Sequence, residues 1–295
     1  MITILRKELA DYFTSIRCFI LFLLVVLASA GGLYAAQQGI RGVSTETGFV
    51  FIKLFTTGED ISLAIFIAFL VPVIGIALGF DAINSERSSG TLNRILSQPI
   101  YRDSVINGKF LAGMVTLSIM MGATMLLVSG YGLRMIGVPP SAEEIIRLFI
   151  YFVSAVIYGA FWMGLAILFS ILFRSLAISL LCPLAIWILL GNPFFNPYIR
   201  FIVPAIAQSI ETRLMLARLS PYFLFEEATM VMLLPQSRGW GILTSGEIAY
   251  MIPNPLPLDQ SLLLIWPQLT TLIGLAAVCF AVSYVVFMRQ EIRAT

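Results

Sequence analysis

The sequence predicts an all-α, polytopic membrane protein with six transmembrane helices. Hydrophobic residues make up 59% of the chain and charged residues 12%, whereas soluble domains carry about 25% charged residues. Uncharged apolar runs of about 20 residues, the length that crosses a bilayer, recur along the chain. Between the second and third runs lies a charged, amphipathic stretch, as expected for a loop at a membrane surface. Lipid is therefore the expected main solvent.

The first predicted element is an interfacial helix over residues 1–17. Its apolar residues recur at helical spacing and its charged residues fill the rest of the helical wheel. A cleaved signal peptide is the alternative, because Ala28-Ser29-Ala30 follows an apolar run. Glu8 and Asp11 argue against it, since the region before the apolar run of a signal peptide is short and basic.

The six predicted spans are residues 18–36, 61–80, 110–133, 148–173, 176–190 and 262–288. The fifth is short and ends in a segment rich in Asn and Pro, residues 191–197. Residues 199–207 are apolar again, which is compatible with a re-entrant half-helix at the start of a long external loop, residues 192–261. For this loop, an outer gate or cap and a plain solvated connection both stay open.

The placement of Lys and Arg predicts the orientation in the membrane. These residues are dense in the second loop, with Arg87, Arg94, Arg102 and Lys109, and sparse in the longer segments on the opposite side. Loops rich in Lys and Arg face the cytoplasm. We therefore expect a multi-pass protein of the plasma membrane with both termini cytoplasmic.

Several kinds of site are excluded by residues that the chain lacks. It has no histidine, which removes Ser-His-Asp arrangements and His-containing zinc sites. Its three cysteines have no CxxC spacing, and its one Gly-Lys pair, Gly108-Lys109, does not form a phosphate-binding loop. We expect no catalytic residue, metal or cofactor in this chain. The near balance of 18 basic and 16 acidic residues also argues against a nucleic-acid partner.

Residues 81–104 are predicted to form a cytoplasmic helical elbow that a partner protein contacts. Gly90 permits a bend, and Thr91 is a candidate N-cap for a second short helix. Spacing alone does not decide the function, because any cytoplasmic loop of a membrane protein can be amphipathic. The candidate contact residues are Ser85, Glu86, Arg87, Gly90, Thr91, Leu92, Arg94, Ile95 and Leu96.

This elbow resembles the cytoplasmic loop of permease subunits of type-2 ABC exporters. The shared features, in order, are Glu86-Arg87, Gly90-Thr91-Leu92, Leu96, Pro99, Arg102 and Gly108-Lys109. Both ends of the chain also look like the termini of that family, so the resemblance covers most of the chain. We therefore expect residues 1–295 to form a single permease domain. Within the family, the chain looks closest to the branch named for permeases of copper-enzyme maturation.

The resemblance implies a half-transporter that forms the substrate path of an ATP-driven exporter. Its implied partners are two copies of a cytoplasmic ABC ATPase, which bind ATP and Mg, and a second permease copy in a homodimer. The interfacial helix and the elbow would contact the ATPase, so the candidate residues named above would couple hydrolysis to transport. Parts of residues 61–80 and 176–190 would line the path.

Three other functions are alternatives to a transporter subunit. A secondary carrier is disfavoured, because the predicted spans lack charged residues and the chain lacks internal repeats. An intramembrane enzyme is disfavoured by the missing histidine and by the absence of a paired nucleophile and base. A non-transporting membrane anchor for a cytoplasmic ATPase stays open, as does the identity of the cargo.

Overall fold

The computed structural model describes residues 2–40, 49, 51–56, 62–91, 101–234 and 256–289, and the regular structure in these residues is helical throughout. The all-α prediction is therefore confirmed for the described residues. The α-helices are α1 (Ile2–Thr14), α2 (Ile16–Ile40), α3 (Lys53–Thr56), α4 (Leu63–Gly79), α5 (Asn84–Ser88), α6 (Arg102–Ile136), α7 (Ala142–Leu172), α8 (Leu176–Leu190), α9 (Val203–Ile206), α10 (Ile210–Ala217), α11 (Pro221–Leu233) and α12 (Leu258–Arg289), and a π-helical turn, Tyr198–Ile202, precedes α9.

Five helical segments of the described chain are long and apolar enough to cross a membrane. They are Ile16–Tyr34, Leu63–Ser88, Arg102–Ile136, Ala142–Leu172 and Leu258–Arg289. They correspond to five of the six predicted spans. The remaining one, α8, has 15 residues, so it extends about 22 Å and falls short of a hydrocarbon core about 30 Å thick. A sixth span stays a prediction.

Helix α7 lies at the centre of the bundle and packs against α4, α6, α8, α11 and α12. Its most apolar stretch is 72% buried, whereas that of the peripheral α12 is 17% buried. The contact with α4 is so close that a Cβ atom added at Gly79 would lie 2.6 Å from the carbonyl oxygen of Met163. Glycine therefore determines how near these two helices come.

The described part of the predicted external loop is mostly helical, and α11 packs into the bundle against α7 and α12. Phe225 stacks on Tyr158 of α7 with ring centroids 4.6 Å apart. The Ser220 hydroxyl donates to the carbonyl oxygen of Leu190, which joins the start of α11 to the end of α8. These contacts anchor α11, whereas its side of the membrane stays a prediction.

Arg147 holds the beginning of α7, the end of α11 and the beginning of α12 together. Its side chain is fully buried and donates to the carbonyl oxygens of Met232 and Leu256 and to the Ser261 hydroxyl. The last carbonyl groups of a helix lack partners within the helix. The guanidinium group satisfies two of them at the end of α11, those of Val231 and Met232. It also pairs with Glu143 one turn earlier on α7.

Candidate functional site

The part of the elbow that directly follows α4, residues 81–91, is attached to the bundle through its backbone. The amide groups of Ile83 and Asn84 both donate to the Ser170 hydroxyl of α7, each over 3.1 Å. The Ser179 hydroxyl of α8 donates to the carbonyl oxygen of Phe80 over 2.5 Å. Two helices of the bundle therefore hold the position where α4 turns into the elbow.

Four charged side chains meet behind the elbow, and we refer to Lys7, Glu8, Glu86 and Lys109 as the ion-pair cluster. Lys109 Nζ lies 3.0 Å from Glu8 Oε1 and 3.0 Å from Glu86 Oε1. Lys7 Nζ approaches the same two oxygens, at 3.0 Å and 3.1 Å. Each ammonium group therefore bridges both carboxylates and connects α1, α5 and α6.

The ion-pair cluster is largely removed from water. The Lys109 side chain is 4% exposed, Glu8 and Glu86 are also buried, and only Lys7 reaches the surface, with 48% of its side chain exposed. Burial acts to lower the pKa of Lys7, but the hydrogen bonds and negative charges of Glu8 and Glu86 outweigh it and raise the pKa above its ordinary value. Lys7 is therefore charged at neutral pH, and the cluster sets two basic side chains against two acidic ones.

Gly108 allows α1 to approach α6 next to the cluster. A Cβ atom at this position would lie 2.8 Å from Ile4 Cγ2, closer than side chains pack. Lys109, the next residue, then reaches Glu8 of α1. The Gly-Lys pair thus combines a close helix contact with a buried positive charge.

The start of the elbow has two more links to the N-terminal helices. Arg17 forms an ion pair with Asp81 and lies over the Phe80 ring, 5.7 Å from its centroid. The Tyr12 hydroxyl donates to the carbonyl oxygen of Leu78 over 3.0 Å. Burial, followed by the charge of Glu8, raises the pKa of Tyr12, so its hydroxyl keeps its proton. The first two helices and the elbow therefore form one connected unit.

The structure describes five of the predicted contact residues: Ser85, Glu86, Arg87, Gly90 and Thr91. Leu92, Arg94, Ile95 and Leu96 lie outside the described residues. The φ of Gly90 is +71°, in the left-handed region that favours glycine, so the predicted bend is present. The exposed tip of the described elbow consists of Ser88, Ser89, Gly90 and Thr91.

Glu86, one of the predicted contact residues for a partner, is engaged within this chain. Its carboxylate points inward, and its described ionic partners are Lys7 and Lys109 of this chain. Arg87, next to it, is half-buried and lies near enough to Arg174, in the turn between α7 and α8, for the two positive charges to repel each other. This proximity brings two of the predicted cytoplasmic loops to the same end of the bundle.

Lys7, Glu8 and Lys109 were not among the predicted site residues. Glu8 and Lys7 look like ordinary polar-face residues of an amphipathic helix, and Lys109 looks like a lysine that extends to the membrane interface. Pairs separated by 101 and 79 positions leave no local signal in one sequence. The one sequence feature that could have indicated the cluster is the position of Lys109, directly before an uncharged apolar run.

The contacts of the site connect several helices. In the part of the chain that the structure describes, no three His, Cys, Asp or Glu side chains are grouped to hold a metal ion. The elbow connects α4 to the segment before α6, and the ion-pair cluster links it to α1. A force applied at the exposed tip would therefore reach three helices through buried contacts.

Comparisons with known proteins give the site its context. The model of a family described as "ABC-2 family transporter protein" matches residues 2–292. The chain is 32% identical over 182 residues to a probable ABC transporter permease protein NosY of Pseudomonas aeruginosa, covering 60% of this chain and 58% of that protein. It is 30% identical over 146 residues to a protein of the same description from Stutzerimonas stutzeri, covering 45% and 48%. The chain thus spans about half the length of the curated relatives it matches.

Proposed function

Because this chain belongs to the ABC-2 family of transporter proteins, we propose that it is the membrane-spanning permease subunit of an ATP-driven exporter. The resemblance seen in the elbow is confirmed by a family match that extends over nearly the whole chain. The five long apolar helices supply the membrane-embedded body of such a subunit. Two relatives described as permeases support the same assignment.

The energy source in this proposal is a separate protein. The sequence contains no GxxxxGK[ST] loop to hold nucleotide phosphates. Two cytoplasmic ABC ATPase subunits would bind ATP and Mg, and two copies of the permease would enclose the path between them. A two-fold symmetric assembly follows from equal halves that contact each other through the same surface.

The observation that carries the proposal is the ion-pair cluster behind the elbow. A nucleotide-driven change in the ATPase shifts the equilibrium between two conformations of the permease only if the ATPase binds those conformations with different free energies. The exposed tip, Ser88 to Thr91, is the accessible part of the described elbow. Behind it, Glu86 is tied to Lys7 and Lys109, so motion of the tip carries α1 and α6 along with α4.

The proposed path runs beside α4 and α8, where the facing side chains are aromatic. Phe69 of α4 lies edge-on to Trp187 of α8, with ring centroids 5.0 Å apart, and its ring also contacts Phe194. An ion path would require charged or carbonyl groups at membrane depth. The aromatic contact instead favours cargo with an apolar surface.

The test is a comparison of Glu86→Gln with Glu227→Gln. Both changes remove one ion-paired carboxylate, but Glu227 pairs with Arg218 beside α11, away from the elbow. The labelling rate of a cysteine introduced at the exposed Ser209 reports the nucleotide-dependent response, and pull-down reports binding of the partner ABC ATPase. We expect Glu86→Gln to reduce the response about tenfold, as for loss of a hydrogen bond to a charged group, while Glu227→Gln keeps it.

A change at the exposed tip separates a coupling defect from a folding defect. Ser88→Trp adds a bulky ring to an exposed residue and leaves the buried cluster unchanged, so it is expected to block docking of the ATPase without unfolding the permease. The proposal would be wrong if Glu86→Gln and Ser88→Trp both bound the ATPase and responded to nucleotide like the parent protein.

A further inference from the structure

Helix α8 buries one narrow stripe of its surface against the rest of the protein. Its buried residues are Ser179, Pro183 and Trp187, which are spaced four apart and therefore lie on one face of the helix. Large apolar side chains on its other faces, such as Leu181 and Ile188, are exposed. The three buried residues differ in their contacts, so the two ends of α8 are attached to different parts of the molecule.

The beginning of α8 is attached to the elbow. The Ser179 side chain is fully buried, and its hydroxyl donates to the carbonyl oxygen of Phe80, the residue that follows the last turn of α4. Helix α8 also packs against α5 of the elbow. The residues before Ser179, from Ser175 to Ile178, are exposed. A buried hydrogen bond therefore joins the first turn of α8 to the start of the elbow.

The far end of α8 is attached to α7 and α11. The carbonyl oxygen of Leu190 accepts from the Ser220 hydroxyl at the start of α11 and, over 3.2 Å, from the side-chain amide of Asn196. Next to it, a Cβ atom at Gly191 would lie 2.4 Å from the ring of Trp162 in α7. This end of α8 is therefore held by close packing and by two hydrogen bonds.

A proline lies between these two attachments. Pro183 has no amide hydrogen, so the carbonyl group of Ser179 cannot accept the usual helical hydrogen bond from the residue four positions later. A missing bond of this kind makes the turn from Ser179 to Pro183 the place where α8 bends most easily. The residue whose carbonyl lacks that bond is also the one whose hydroxyl contacts the elbow. The weak turn of α8 and its attachment to the elbow thus coincide.

We propose that the turn from Ser179 to Pro183 is a hinge, at which the first turn of α8 moves with the elbow while the far end stays with α7 and α11. Ser179 is a positioning residue in this hinge, because its hydroxyl joins the moving turn to the elbow. The role in transport rests on the proposed function, since an ATPase that displaces the elbow would bend α8 beside the proposed path. The hinge itself belongs to the permease and can be measured without the ATPase.

Amide hydrogen exchange of the purified permease tests the hinge. The reporter is a peptide covering residues 81–87, in which the amides of Ile83 and Asn84 bond to Ser170 and exchange when the elbow opens. Pro183→Ala restores one backbone hydrogen bond and stiffens the hinge, and one such bond corresponds to about tenfold in an equilibrium constant. We therefore expect exchange in this peptide to slow about tenfold.

A second proline within a helix provides the matched control. Pro267→Ala makes the same change in the peripheral α12 and should leave exchange of residues 81–87 unchanged. Pro183→Val, which also restores the backbone bond and is close to proline in volume, should act like Pro183→Ala. Both changes at position 183 add a hydrogen bond, so thermal unfolding should show variants at least as stable as the parent protein.

Ser179→Ala decides whether the hydroxyl joins the hinge to the elbow. In a chain with this change, Pro183→Ala should no longer slow exchange of residues 81–87, because the stiffened turn is not bonded to the elbow. Ser283→Ala is the control, since it removes a buried hydroxyl that bonds within its own helix, to the carbonyl oxygen of Cys279. It should keep the effect of Pro183→Ala.

The proposal would be overturned by unchanged exchange in both variants at position 183, by equal slowing in Pro267→Ala, or by slowing that persists in the chain with Ser179→Ala. Pull-down of the ATPase tests the proposed function separately. Slowed exchange in a permease that binds no ATPase would support the hinge and contradict the proposed function. Unchanged exchange in a permease that binds the ATPase would contradict the hinge alone.

Discussion

Two basic residues at the edges of apolar runs show how single side chains organise this protein. Lys109 and Arg147 each stand beside a predicted span, where a long basic side chain normally extends toward the interface. In the structure both are buried, with side chains 4% and 0% exposed. Each is retained in the protein interior because its hydrogen bonds and ion pairs offset the loss of solvation.

Arg147→Leu is expected to destabilise the protein strongly. The change leaves buried acceptors at the end of α11 and the start of α12 without their donor, and breaking such a buried charged site costs about 3–5 kcal/mol. Arg218→Leu is the matched control, because Arg218 is half-exposed and its surface pair is worth about 0–1 kcal/mol. Thermal unfolding in detergent compares them, and an equal loss for both variants would contradict this reading of Arg147.

Glu226 predicts a pH dependence of stability. Burial raises its pKa to about 7, with a smaller contribution from the charge of Glu227 and against the hydrogen bond from Tyr222. The folded state therefore holds a proton that the unfolded state has released, and stability is lost as the pH rises from about 4.5 to 7. Because Glu226→Gln cannot titrate, we expect it to be more stable than the parent protein at pH 8 and similar at pH 5.

The pH measurement has a control in Glu211→Gln, which changes an exposed carboxylate on the neighbouring α10. This variant should keep the pH dependence of the parent protein in thermal unfolding between pH 5 and 8. If Glu226→Gln retained the same dependence as the parent, burial of this carboxyl would not be its source.

At the scale of helices, the contact between α4 and α7 depends on glycine. The spacing of Gly75 and Gly79 predicts close helix packing, and the structure places both against α7 of the same chain. A Cβ atom would lie 2.7 Å from the Gly159 carbonyl oxygen at position 75 and 2.6 Å from the Met163 carbonyl oxygen at position 79. Backbone atoms cannot move aside as a flexible side chain can, so the helices would have to separate.

Gly79→Ala should therefore destabilise the bundle by about 1–3 kcal/mol, the usual cost of overpacking. Gly274→Ala on α12 is the control, because a Cβ atom there meets nothing within 4 Å and alanine favours a helix over glycine by about 1 kcal/mol. Thermal unfolding of the two variants should shift in opposite directions. A neutral Gly79→Ala would show that the contact is not tight.

The whole molecule has a predicted sidedness that two positions can test. Ser88 lies at the exposed tip of the elbow, and Ser209 is exposed at the beginning of α10. Single cysteines are introduced at these positions in a chain whose Cys18, Cys182 and Cys279 are replaced by alanine. With a membrane-impermeant reagent added to intact cells, the cysteine at position 209 should react and the cysteine at position 88 should not. Labelling of both from outside, or of neither, would overturn the predicted topology.

The assembly also has a predicted stoichiometry. If the proposed two-fold assembly is correct, two copies of the permease should assemble with two ATPase subunits. Native mass spectrometry of the complex isolated from membranes measures the ratio directly. A stable complex of one permease and one ATPase that still transports would rule out the dimer.

The membrane class and five of the span positions were predictable from the sequence because each depends on local composition. The free energy of transferring an apolar helix into lipid is a sum of contributions from residues that are neighbours in the sequence. An amphipathic stretch between two spans is likewise visible in a short window of sequence. The bend at Gly90 was predictable for the same reason, since it needs only one residue without a side chain.

Only the tertiary structure decided which charges meet and what the glycines contact. Lys109 pairs with Glu8, 101 positions away, and Lys7 pairs with Glu86, 79 positions away. Both pairs exist because Gly108 brings α1 onto α6 and Ser170 holds the elbow against α7. A single sequence shows that these residues are charged or small. Their burial and pairing depend on helices that come together only when the bundle packs. For this reason Lys109, which looks like an interfacial lysine in the sequence, lies at the centre of the site in the structure.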